Sequence, residues 1–162
     1  MHPGRQPPLG QTGPVGWTTC TEGHTHWGPR GAAGVLVAEH GRALLQLRAS
    51  WAHHGGTWSV PGGARERGES AVTAALREAD GELGLDPSAV TPQASYVAEC
   101  GGWTYETVLA TPRRTLALRD MAESREHRWV PAGDVAALPL HPAFRTTWDD
   151  PASGLRDFVA GS

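Results

Sequence analysis

The sequence predicts an α/β sandwich around a mixed β-sheet. Three observations carry that prediction: one long amphipathic helix lies mid-chain, apolar strand-like runs flank it on both sides, and a second helical stretch follows near the end. At 162 residues the chain suits one domain, long enough to bury roughly two-thirds of its extended-chain surface. Residues 1–16 hold four Pro and four Gly and almost no bulky apolar side chain. That is the composition of a flexible leader, which leaves 17–162 as the folded domain.

Residues 17–30 show no clear period, and Trp27 before Gly-Pro is expected to cap one end of the core. Gly31 to Glu39 is small and β-branched and reads as a central strand; His40-Gly41 turns it, and Arg42 to Leu47 returns as its hairpin partner. A polar, His- and Gly-rich loop follows from Ala49 to Thr57, then Trp58-Ser59-Val60 leads into Pro61-Gly62-Gly63. Glycines there let backbone approach a ligand closely.

The helix runs from Ser70, the N-cap, to Gly84, the stop. Val72, Ala75, Leu76, Ala79 and Leu83 recur at spacings of three and four, which gives one apolar stripe. Glu78 and Glu82 stand one turn apart on a neighbouring face, and such a like-charge pair costs roughly a few tenths of a kcal/mol in a bare helix. A divalent cation between them reverses that sign. Asp86-Pro87 ends the segment. Strands are then expected at 94–99 and 103–110, paired around Cys100-Gly101-Gly102, and again at 126–130. Pro131 to Ala137 reads as a short helix, and 138–148 as the start of a final helix covering the sheet.

The net charge of -3 gives no reason to expect duplex nucleic acid or an anionic membrane as partner. Two cysteines are too few for a disulfide framework, and no apolar run approaches a membrane span or signal peptide, so a cytoplasmic protein is expected. Cys20 with His24 and His26 suggests zinc, but without a second ligand pair it reads first as a solvated loop.

Spacing is more telling than the helix itself. From Gly63, five residues lead to Glu69, seven more to Arg77-Glu78, and Glu82, Gly84 and Leu85 close the set. This resembles the signature of the Nudix hydrolases, G-x5-E-x7-R-E-U-x-E-E-x-G-U with U bulky and apolar, and the likeness covers roughly residues 30–140. Two positions depart: Ala79 is small, and Gly81 stands where the family places the first glutamate of its E-E pair, usually a metal ligand.

The resemblance implies a Nudix-type α/β/α sandwich and a Mg2+- or Mn2+-dependent pyrophosphohydrolase. Its substrate would be a small nucleoside triphosphate or nucleoside diphosphate-X compound. Glu78, Glu82 and the Gly62 carbonyl would hold the metal, with Glu69 and Arg77 paired behind them. Glu123 or Glu126 would bring a further carboxylate, as ligand or general base. Arg48 falls where relatives carry a phosphate-contacting arginine, His53 and His54 lie in the loop where substrate could be touched, and Trp51, Trp58, Trp103 and Tyr105 could stack on a base, at most one of them doing so. Many relatives pair, so a homodimer is admitted. Gly81 keeps a second reading open, a Nudix-fold binding or sensor protein with impaired turnover. No Asn or Asp in 138–144 selects a base, only His141 stands there, and the substrate stays unnamed.

Overall fold

A computed structural model describes residues 16–162. The leader expected at 1–16 lies, apart from Gly16, outside the described residues. The elements are β1 (Trp17–Thr19), β2 (Thr25–Trp27), β3 (Ala32–Glu39), β4 (Arg42–Arg48), β5 (Trp58–Ser59), β6 (Gly62–Ala64) and α1 (Ala71–Leu83). They continue with β7 (Val90–Cys100), β8 (Trp103–Pro112), β9 (Ser124–Pro131), α2 (Ala132–Val135), α3 (Pro142–Asp149) and α4 (Leu155–Ala160).

β3 is the centre of the sheet, flanked by β8 in parallel and continued antiparallel by β7. Its other edge is split. β4 pairs with β3 only near their shared turn, at Ala38↔Ala43 and Glu39↔Arg42, while β6 pairs with the opposite end, from Ala32↔Ala64 to Gly34↔Gly62. β4 then departs to pair with β5 and β9. The mixed sheet and its two covering layers fulfil the expected α/β/α sandwich.

Alternation along β3 assigns the layers. Ala33, Val35 and Val37 face α1 with Val108 and Ala110 of β8; Leu36 and Ala38 face the opposite side with Trp58, Phe144, Trp148, Leu155 and Val159. The second layer is therefore built from α3 and α4. Ser70 caps α1 by accepting from the Thr73 N–H, and Gly84 ends it in the left-handed region at φ 66°, both as the sequence predicts. The buried face of α1 is mostly alanine: Ala71, Ala74, Ala75 and Ala79 stand beside Leu76 and Leu83.

Three expectations change. Residues 17–27, unassigned from sequence, form the β1–β2 hairpin. Trp27 is 44% exposed and packs edge-on against Trp17, which is the buried tryptophan there. The strand at 94–99 reaches back to Val90 across an irregularity between Pro92 and Ala94, which absorbs the proline that broke the pattern. No helix among the described residues is long and apolar enough to cross a membrane.

Because Leu83 is fully buried under the sheet, Leu83→Ala should destabilise by about 2–5 kcal/mol. Ser70→Ala should cost only about 1 kcal/mol by removing a cap. Urea unfolding of both variants checks the order.

Candidate functional site

The site forms where the helix meets the split in the sheet. Gly62 lies on β6 and Gln46 on β4, on either side of that split. The Glu82 carboxylate bridges them: its Oε1 accepts from Gln46 Nε2 at 2.8 Å and from the Gly62 N–H at 3.3 Å. Burial first, and then the charge of Glu78, push Glu82 up to about 7 against those two hydrogen bonds. Gln46 is only 3% exposed, and its Oε1 has no partner among the described residues. A buried carboxylate, a like-charged neighbour and an orphaned amide oxygen together make a donor set that fits a hard divalent cation.

Glu78 reaches the same place because Gly63 has no side chain. A Cβ on Gly63 would lie 2.6 Å from the Glu78 Cδ, and one on Gly62 would lie 2.6 Å from the Tyr105 hydroxyl. Burial, then the Glu82 charge, push the Tyr105 phenol up, so it remains protonated beside the carboxylates.

Arg77 locks the glycine turn to the helix. Its Nε and Nη2 donate to the two Glu69 oxygens at 2.8 and 3.0 Å, Nη2 also to the Ala64 carbonyl at 3.0 Å, and Nη1 to Glu78 at 2.8 Å. Hydrogen bonding from Arg77 is the main reason Glu69 falls from an ordinary 4.5 to about 2. The expected Glu69–Arg77 pair is therefore present in the geometry.

An open cleft of about 280 Å3 is lined by Glu78, Gly81, Glu82, Ala122 and Glu123. Ala122 adopts φ 50°, a tight turn that brings Glu123 to the cleft wall. A Cβ on Gly81 would meet nothing within 4 Å. A side chain at 81, three residues and just under one turn on from Glu78, would thus project into the cleft beside the two carboxylates.

Of the two late carboxylates, only Glu123 joins the cleft. Glu126 stands opposite Leu47 in the β4–β9 register, on the sheet face away from α1, and pairs with Arg128 at 2.9 Å. Arg48 donates its Nε to the His53 carbonyl at 2.8 Å, and its charge is felt by Glu82, Tyr105 and His141. His53 is exposed on the loop, its ring 4.1 Å from His54, and His54 in turn 4.6 Å from His141. Burial, then His54 and Arg48, hold His141 down at about 4, so it is neutral and its Nδ1 accepts from the Ala143 N–H.

Trp58 is placed differently from the expectation. It is 5% exposed, belongs to the core under α3, and carries the Arg128 guanidinium 4.7 Å over its ring. No face is left for a substrate base. Trp51, 70% exposed, is the loop tryptophan that solvent reaches.

Sequence reasoning missed Gln46 altogether. The signal was there: one polar residue on the same strand face as buried Leu44, in an otherwise apolar hairpin.

A family model described as NUDIX domain matches residues 28–149. "Putative 8-oxo-dGTP diphosphatase 3" of Mycobacterium tuberculosis is 41% identical over 144 residues, covering 82% of this chain and 66% of that protein. A "Nucleoside triphosphate pyrophosphatase/Nudix hydrolase fusion protein" of Bifidobacterium longum is 38% identical over 160 residues, covering 91% of this chain and 33% of that protein. The chain thus spans less than two thirds of the length of these curated relatives. The crystal structure of a Nudix hydrolase from M. smegmatis, RenU, superposes with a TM-score of 0.74 at 42% identity, covering 82% of this chain and 89% of that one.

The Glu69 charge stabilises the fold fully above about pH 4.5, and that contribution is lost as pH falls toward 2. Glu69→Gln should therefore unfold about 2 kcal/mol more easily at neutral pH. Its stability should fall less than that of the unmutated protein across this acid range, as read from urea midpoints at stepped pH.

Proposed function

The chain belongs to the Nudix family, and on that premise we propose that it is a divalent-metal-dependent pyrophosphohydrolase of nucleoside triphosphates or nucleoside diphosphate-X compounds. One observation carries the proposal: Glu78 and Glu82 both turn onto the Gly62–Gly63 turn, beside an open cleft. A Mg2+ or Mn2+ ion there supplies charge neutralisation for the diphosphate and activation of the attacking water.

The residues of the chain divide the remaining work. Glu78 and Glu82, with the Gly62 carbonyl, hold the ion. Glu123, on the cleft wall, accepts the proton of the attacking water. Glu126 faces away and pairs with Arg128, so it is the weaker candidate for that role. Arg48 retains its Nη groups for a phosphate, since only Nε is engaged among the described residues. His53, beside it on the exposed loop, contacts the outer part of the nucleotide. Glu69 and Arg77 act by positioning, fixing Glu78 and the glycine turn together.

The M. tuberculosis relative's description supports an oxidised purine nucleoside triphosphate as one substrate to test beside the ordinary nucleotides. Gly81 favours a second reading, binding without useful turnover, because it removes a carboxylate from the cleft while leaving space for one.

A release assay with Mg2+ or Mn2+ over a nucleotide panel that includes 8-oxo-dGTP separates the two. Turnover by the unmutated protein that falls to background in Glu82→Gln, and about 10- to 100-fold in Glu69→Gln, supports the hydrolase. Background activity that Gly81→Glu raises by orders of magnitude establishes the binding reading instead.

A further inference from the structure

Away from the cleft, the tip of the β1–β2 hairpin meets the β7–β8 turn. Backbone fixes the encounter: the Thr21 N–H donates to the Gly101 carbonyl at 3.1 Å, and the Cys20 N–H to the His24 carbonyl at 2.9 Å. The approach is close enough that a Cβ on Gly101, at φ +53°, would stand 2.8 Å from the Cys20 Sγ. Two cysteines and two histidines converge there from segments far apart in sequence.

Their spacing is that of an ion's coordination shell. The Cys20 and Cys100 sulfurs are 3.6 Å apart, and His24 Nδ1 is 3.0 Å from the Cys100 sulfur. Ligand atoms of Cys20, His26 and Cys100 all lie within 4.8 Å of one another. Tetrahedral zinc with Zn–S of about 2.3 Å has S···S edges of about 3.8 Å, and S···N edges are slightly shorter. His26 is held for the purpose. Its ring stacks flat on Trp103, centroids 4.1 Å apart and planes 5° from parallel, and Trp103 is itself anchored by its Nε1 to the Gly28 carbonyl at 2.7 Å. His26 Nε2 is nevertheless buried without a hydrogen-bond partner among the described residues. A disulfide would account for the two sulfurs but not for the histidine grouped with them; a metal accounts for all three.

We propose that Cys20, His26 and Cys100 hold a structural zinc that staples the β1–β2 hairpin to the β7–β8 turn, with His24 at its edge, 3.0 Å from the Cys100 sulfur but apart from the Cys20 and His26 ligand atoms. Glu22, grouped with His24 and Cys100, lies exposed at its rim. Binding displaces the two thiol protons to solvent and leaves a thiolate pair on the ion. The hairpin also meets the His-rich loop at 49–57, because the Trp17 ring at its base lies 5.6 Å from that of His53.

The test uses the full chain, purified without an affinity tag under reducing conditions, dialysed, and assayed for metal by mass spectrometry. One tightly held zinc per chain is expected, and cobalt exchanged in its place should show thiolate-to-metal charge transfer, a band that carboxylate ligands do not give. Cys100→Ser and His26→Ala should retain zinc only at background, while Glu82→Gln retains it fully. The proposal is overturned by protein that holds no zinc and takes up cobalt without that band, by zinc retained in Cys100→Ser, or by a Cys20–Cys100 disulfide found on isolation. Should either variant fail to fold, the cobalt spectrum of the unmutated protein decides alone.

Discussion

Everything in the cleft rests on the guanidinium of Arg77. It binds both oxygens of Glu69, the Ala64 carbonyl and the Glu78 carboxylate at once. Those acceptors belong to the turn after β6, to β6 itself and to α1, so one side chain fixes the helix against the strand that lines the cleft. A lysine could supply the charge but not the planar fork, and only the fork reaches Glu69 bidentately while still touching Ala64. Without that brace the helix carboxylates would still exist, but nothing would set their height above the glycine turn.

The second constraint is topological. β3 hands its edge from β4 to β6, and the split leaves a backbone N–H at Gly62 that no neighbouring strand serves in that position. Glu82 fills that role from the helix and engages Gln46 from the departing strand. The Glu82 carboxylate is thereby a repair of the sheet as well as part of an acidic cleft. This is why an acidic side chain can be tolerated so deep, although burial raises it toward neutrality.

Local chemistry made most of this legible in the sequence. Ser70, Gly84 and the alanine-leucine stripe determined α1; the glycines at 62 and 63 and the glutamates at 78 and 82 pointed to the candidate site. What the sequence could not convey was long-range. Gln46 acquires its meaning only through a helix 36 residues away. Glu123 and Glu126 could not be told apart until the Ala122 turn set the first and the pairing of β9 with β4 set the second. Trp58 was open to a base-stacking role, yet it packs into the core with Phe144 and Trp148. Cys100 joined the hairpin cysteine and histidines only when the two turns met, across 80 positions of chain.

The alanines under α1 have a consequence for how this scaffold tolerates change. Small side chains let the helix axis settle low over β3, and the reach of Glu78 and Glu82 is measured from that height. Adding even one methyl group to Ala74, Ala75 or Ala79, all fully buried, would lift the helix rather than merely crowd it. A glutamate displaced by part of an ångström loses its geometry while the domain stays folded. Substitutions beneath this helix should therefore disturb the Glu78–Glu82 pair before they unfold the domain.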